Sequence, residues 1–238
     1  MSPFLPSTLV IIPTLNEAAG LAATLSNVRQ CLPGVAIVVV DGGSRDTTTN
    51  IASAAGVQVI HSTRGRGIQC QNGAEGATAE LLLFLHADTL LPVDAAAILA
   101  AHFSRSEVKI GTFRLAFNAA GPFLRTCAWC SRFDSVFTRF GDQGIAIRNN
   151  FYRRLGGFPA WPLFEDVELL RQARRVTRIW SFPASVTTSA RRFHERGPLR
   201  QQWLNAQLLC RFLGGAAPEQ LAAEYSSSAT PAPTTLPS

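Results

Sequence analysis

Leu81-Leu82-Leu83-Phe84-Leu85-His86-Ala87-Asp88-Thr89 is the stretch whose reading decides the fold. Five apolar residues in succession predict a strand buried on both faces, and such strands sit inside parallel sheets. Side chains two apart on a strand share a face, so His86 and Asp88 are expected to project together at its C-terminal end. In open α/β sheets that edge is where ligands bind. A carboxylate there suits a hard cation such as Mg²⁺ or Mn²⁺. The competing reading is that Asp88 caps a helix starting near Pro92 or Asp94.

Upstream of this stretch, Leu9-Val10-Ile11-Ile12-Pro13 predicts a first strand. Thr14-Leu15-Asn16-Glu17 then has the form of a capping box, and Ala18, Leu21, Ala22, Leu25, Val28 and Leu32 follow at helical spacing. Residues 36–40 form a second apolar strand running into Asp41-Gly42-Gly43-Ser44-Arg45-Asp46-Thr47. A short helix with Ile51, Ala52 and Ala55 leads to a third strand at 57–60, and Arg64-Gly65-Arg66-Gly67 opens a helix of small residues. Downstream, 94–103 predicts another helix. Strand and helix alternating at this rhythm give βαβ units, and an α/β fold with helices on both faces of a mostly parallel, Rossmann-like sheet.

The second half is less regular. It predicts strands at 109–117 and 145–147, an aromatic-rich helix over 122–137, a helix over 164–175 and an extended segment at 179–188. Residues 198–213 form an amphipathic helix, for which core packing is weighed against peripheral membrane contact. Residues 226–238, rich in Ser, Thr and Pro, have the composition of a disordered tail. A single domain over 1–225 is expected.

Of the 238 residues, 47% are apolar and 16% charged, a folded composition, and no apolar run approaches the ~20 residues of a membrane span. The N-terminus lacks the basic start of a secretory signal, so a cytoplasmic location is expected. Net charge is +6, carried almost wholly by arginine, which favours planar recognition of phosphate or carboxylate. The arginines are scattered among aromatics without a basic block, which argues against nucleic acid. Cys127 and Cys130 have the spacing of half a zinc knuckle, but no second pair accompanies them, and they read as structural.

Three polar clusters converge on one sheet edge: Pro13 to Glu17, Asp41 to Ser44, and His86 to Asp88. The first two could grip a base and ribose while Asp88 holds a metal on a diphosphate; Gly42 and Gly43 allow close approach. Gly141-Asp142-Gln143-Gly144 sits where a turn is expected. In Phe164-Glu165-Asp166-Val167-Glu168, three acids occupy a first helical turn, which the helix dipole alone would favour. The functional reading makes Asp166 a general base. Arg191 and Arg192 would close the site.

In order, PTLNE, DGGSRDTT, LHADT, GDQGI, GGFP, FEDVEL and TSARRF resemble glycosyltransferase family 2 with the GT-A fold. The likeness is to the small branch known as radical-SAM/selenodomain-associated, and it spans about residues 8–225. It implies a nucleotide-binding half (about 8–105), an acceptor half (about 106–225), and a single, inverting transfer from a nucleotide-diphosphate sugar. The implied donor is a UDP-sugar, the acceptor a small or lipid-linked molecule. Pro13, Thr14, Asn16, Glu17, Asp41 and Gly43 would hold the nucleoside, and Arg64, Gly67, Gln69 and Asn72 would line the donor pocket. Asp88 would bind a divalent cation (Mn²⁺ or Mg²⁺). His86 stands where the family has a first aspartate, as a ribose partner or a nitrogen ligand. Asp142 and Gln143 would lie near acceptor and donor sugar, Asp166 with Glu165 would supply the base, and Arg191 and Arg192 would contact phosphate.

Rivals weaken on the same residues. An NAD-type oxidoreductase needs G-x-G-x-x-G where this chain has P-T-L-N-E. A haloacid-type phosphatase needs an Asp-x-Asp after its first strand. A sugar nucleotidyltransferase lacks its Gly-rich loop here. A nucleotide-sugar-binding protein without catalysis is the rival from another class.

Overall fold

Strand β4 (Leu81–Phe84) lies near the centre of the sheet with all four residues buried. The computed structural model of the protein describes residues 4–118, 121–189 and 198–227. On one side β4 pairs in parallel with β1 (Thr8–Thr14), which pairs in parallel with β2 (Ala36–Asp41), and that with β3 (Gln58–His61). On the other side it pairs antiparallel with β7 (Ile145–Arg148), followed by β6 (Ile110–Phe117), β8 (Trp180–Thr188) and the short β5 (Thr89–Leu90). Among the described residues the order is β3-β2-β1-β4-β7-β6-β8-β5. The parallel half is as the sequence predicts; beyond β4 the sheet is mixed.

Alternation along the strands fills two cores. Val10 and Ile12 of β1 and Leu81 and Leu83 of β4 pack with α1 (Ala18–Cys31) and α4 (Ala95–Phe103) on one face. Ile11, Leu82 and Phe84 pack on the other face with α3 (Arg66–Ala74), α6 (Asn149–Arg154) and α7 (Glu165–Arg174). A leucine taken fully out of water stabilises by about 1.5–3 kcal/mol, so this strand anchors both layers at once. The helix α2 (Thr48–Ala54) joins the first face through Ala52. A third cluster links Val167 of α7 to α8 (Pro198–Leu213) and α9 (Pro218–Ser227) through Leu208, Phe212 and Leu221.

Four expectations change. First, the pivotal strand ends at Phe84, so His86 and Asp88 lie in a turn beyond it, closed by Thr89 N–H donating to the His86 carbonyl at 3.2 Å. Helix α1 draws this turn out of the sheet: the Thr24 hydroxyl donates to the Ala87 carbonyl at 2.7 Å, and Asn27 grips Leu91 through both its amide atoms. Second, Thr14 caps nothing. It is the last residue of β1, its hydroxyl turned to the Val40 carbonyl and Asp41, and α1 receives its caps from the neighbouring loop instead. Third, the aromatic helix α5 stops at Cys130 (Pro122–Cys130), where the Ser131 hydroxyl donates to the Ala128 carbonyl and accepts from the Leu115 N–H. Fourth, α9 runs to Ser227, past the expected start of the tail; residues 228–238 lie outside the described residues. Cys130 is a free thiol.

Candidate active site

Asp41 organises the first loop. Its carboxylate is 2% exposed and accepts from the N–H groups of Gly43 (3.0 Å) and Ser44 (2.9 Å), and from the hydroxyls of Ser44 and Thr14. Burial pushes this carboxyl up, but the Ser44 hydroxyl and the other donors outweigh it and hold the group below the usual range. Both oxygens are thus engaged by the chain, and Asp41 shapes the loop from beneath. Gly43 has φ 91°, a conformation that glycine adopts without strain.

The PTLNE loop is tied to that one. Asn16, at φ 56°, accepts from the Arg45 N–H at 2.8 Å through its side chain, and its own N–H donates to the Ser44 hydroxyl at 2.8 Å. The Glu17 N–H donates to the Thr48 hydroxyl, and the Ala18 N–H to Asp46. Asp46 also accepts from the Thr48 N–H, so one carboxylate caps two helices. Gln69 spans the root of both loops: its amide nitrogen donates to the Thr14 and Val40 carbonyls, each at 2.8 Å. Gln69 is therefore a buried clamp. Asn72 donates to the Ser62 hydroxyl at 2.9 Å, and Arg64 is exposed nearby.

Around the starts of α3 and α7, three carboxylates and one guanidinium meet. Gly141 N–H donates to Asp166 Oδ2 at 2.6 Å, and the Val167 N–H donates to Oδ1 at 2.8 Å, which fixes Asp166 at the start of α7. Arg66, at the start of α3, stands 3.6 Å from Oε1 of Glu165, a residue only 2% exposed. Burial first, then the charge of Asp166, raises the Glu165 carboxyl to about 7 against the pull of Arg66. Asp142 is likewise raised to about 7, by burial first, then by Asp166, with Asp88 adding to the push and Arg66 opposing it. Its Oδ1 is sealed from solvent and has no hydrogen-bond partner among the described residues. Asp88, in the turn after β4, thus adds a small push to Asp142.

Two backbone features allow the meeting. Gly67 must be bare, because a Cβ there would lie 2.1 Å from the Pro159 carbonyl oxygen. Phe164, just before α7, takes φ 63°, an uncommon conformation for a bulky residue, and its ring is stacked on Phe212 at 4.9 Å.

One small cavity unites much of this. Pro13, His86, Glu165 and Asp166 line it together with Arg66, Gly141, Cys70, Phe84, Leu85, Ile145 and Phe158. Gln143 is not among them: it is 1% exposed, its amide donating to the Thr138 carbonyl and accepting from Thr112. Arg191 and Arg192 lie outside the described residues. Sequence reasoning missed the pairing of Arg66 with Glu165, and Arg139, buried between Thr112, the Trp180 carbonyl and Asp134. No local pattern marks either; only the tertiary fold brings the partners together.

The family model for glycosyl transferase family 2 matches residues 9–153. The chain belongs to glycosyltransferase family 2. The matched region holds the loops around Asp41, Asp88 and Asp142, while Glu165 and Asp166 lie beyond it. A PGL/p-HBAD biosynthesis glycosyltransferase of Mycobacterium bovis, and its counterpart in Mycobacterium tuberculosis, are each 38% identical over 111 residues. That match covers 43% of this chain and 43% of the relative, so the chain aligns with less than half of those family members. The mannosyltransferase of Pyrobaculum calidifontis, solved with GDP-Man and Mn²⁺, superposes with a TM-score of 0.66 at 20% identity, over 97% of this chain and 79% of that one. S. aureus TarS with UDP-GlcNAc gives 0.60 at 20% identity, over 76% and 58%. The shared architecture is the GT-A fold of these glycosyltransferases. No described helix is long and apolar enough to cross a membrane.

Proposed function

We propose that this family 2 member is an inverting, metal-dependent glycosyltransferase that moves one sugar from a nucleotide-diphosphate donor to a hydroxyl acceptor. The observation that carries the reading is the meeting of Glu165 and Asp166 with Arg66 and His86 around one small cavity, close to Asp142.

The donor set fits a divalent cation. Asp88 offers a hard oxygen and His86 a nitrogen, and no described group of three or more His, Cys, Asp or Glu residues could encage a metal. A cation held by one or two protein ligands is completed by water and substrate phosphates, the usual arrangement for Mg²⁺ and Mn²⁺ at diphosphates. Such an ion would neutralise charge on the leaving nucleoside diphosphate. The solved neighbours bound to Mn²⁺ with GDP-Man and to UDP-GlcNAc support a nucleotide sugar as donor.

The chain's own residues do the rest. The loops that Asp41, Asn16 and Gln69 hold rigid frame the nucleoside, with Pro13, Thr14, Glu17, Gly43 and Arg64 at their edges. Asp166, held by two backbone N–H groups, keeps lone pairs free to take the acceptor's proton as its oxygen attacks the anomeric carbon. Arg66, beside Glu165, offsets the negative charge gathered around that carboxylate, and Asp142 borders the acceptor. Arg191 and Arg192 add positive charge for the departing diphosphate, a role resting on sequence alone.

A thermal-shift screen of nucleotide sugars with Mn²⁺ and Mg²⁺ tests the proposal, since a ligand of the native state raises the midpoint with occupancy. One UDP- or GDP-sugar should stabilise the protein only with metal and then be slowly hydrolysed. Stabilisation without hydrolysis or transfer would leave a binding protein, and no stabilisation by any nucleotide sugar would end the reading.

A further inference from the structure

Four aromatic side chains stand in water on the acceptor half. Trp129, Phe133 and Phe137 are each at least half exposed, and Trp203 of α8 is 67% exposed. Trp129 and Phe133 meet edge to face with ring centres 4.9 Å apart. Val136 and Leu204, the chain neighbours of Phe137 and Trp203, pack into the same apolar cluster, which joins the two segments. Rings this large are normally withdrawn from water, and the pair Trp129–Phe133, with Phe137 and Trp203 exposed beside members of one cluster, marks an interaction surface.

Charge selects the partner. Arg125 and Arg132, both exposed, lie on either side of Trp129 in the chain. The acid nearest them in sequence, Asp134, is already shared between Arg139 and Arg174. The surface is thus aromatic and cationic, the combination that seats side chains at the headgroup level of anionic bilayers. With no described helix able to cross a membrane, contact of this kind is peripheral.

Position links the surface to the site. From Phe133 the chain runs through Phe140 directly into the turn Gly141–Gln143 that carries Asp142 and binds Asp166. Phe140 and Phe164 lie in the same cluster as Val136 and Leu204. We propose that Trp129, Phe133, Phe137 and Trp203, with Arg125 and Arg132, dock this chain on an anionic lipid surface. Docking there sets the acceptor end of the cleft against the headgroups, so that the acceptor hydroxyl belongs to an amphiphile in that surface. The last clause rests on the glycosyltransferase reading; the docking itself does not.

Co-sedimentation of the full chain with phosphatidylcholine vesicles, with and without phosphatidylglycerol, tests the proposal. Binding should require the anionic lipid and weaken as salt rises. The double variant Trp129→Ala/Phe133→Ala should bind about tenfold more weakly while keeping its melting midpoint and its donor hydrolysis, because both rings are about half exposed and neither lines the cavity of Glu165 and Asp166. Equal partition of wild type and variant overturns the docking surface, as does indifference to phosphatidylglycerol. Absence of vesicle binding together with a concentration-dependent dimer that the variant abolishes would reassign the patch to self-association. Loss of donor hydrolysis in wild type would strike the glycosyltransferase reading and leave the docking result standing.

Discussion

The Gly141 N–H donates to Asp166 Oδ2 at 2.6 Å, joining the turn after the aromatic segment to the first residues of α7. A Cβ at position 141 would lie 3.0 Å from the same oxygen, so a side chain there would press on this carboxylate. The bond fixes the orientation of that carboxylate.

Asp166→Asn keeps the shape and the acceptor oxygen for Gly141 but removes the basic lone pair. Transfer should fall by ~10²–10⁴, the usual consequence of losing a general base, while donor affinity by calorimetry stays within a small factor. Near-normal turnover would remove Asp166 from the base role.

Gly67→Ala drives a methyl into the Pro159 carbonyl oxygen, a backbone atom that cannot swing aside. The start of α3 must then move from the segment before α7, separating Arg66 from Glu165. Overpacking of this kind costs about 1–3 kcal/mol, visible as a lower urea midpoint. An unchanged midpoint would mean that the two helix starts are not held as closely as described.

Stability should fall as pH rises from about 5 to about 8. Burial pushes the Glu165 and Asp142 carboxyls up to about 7 in the folded state, above their ordinary unfolded values. Between those values the native state holds protons that the unfolded chain has released, so raising the pH favours unfolding, by at most about 1.4 kcal/mol per pH unit for each group. Asp41 is held low and is ionised in both states throughout this window. Glu165→Gln should flatten the slope of thermal midpoint against pH; a slope identical to wild type would place the proton elsewhere.

The parallel half was legible because its signals are local. Residues 81–85 are continuously apolar since both faces of β4 are covered, and Ile11 and Ile12 alternate between the two cores as a strand should. The candidate site is readable in the sequence as a set of polar residue types after strand ends; its geometry is not. Thr14-x-x-Glu17 matches a capping box, yet the strand continues through Thr14 because its partner across the ladder is Asp41. Gln69 and Gln143 carry donors and acceptors that suit a ligand, but buried backbone carbonyls at Thr14, Val40 and Thr138 need those same atoms. The ion pair of Arg66 with Glu165 depends on residues about a hundred apart meeting over one glycine. Local pattern does not encode that.

The role of Asp88 is the centre of the account, and titration calorimetry of the responsive nucleotide sugar reaches it most directly. Wild type should bind the donor appreciably only with Mn²⁺ or Mg²⁺, and Asp88→Asn should lose that metal-dependent gain while keeping its fold by circular dichroism. Equal affinity in both proteins, with and without metal, would contradict it.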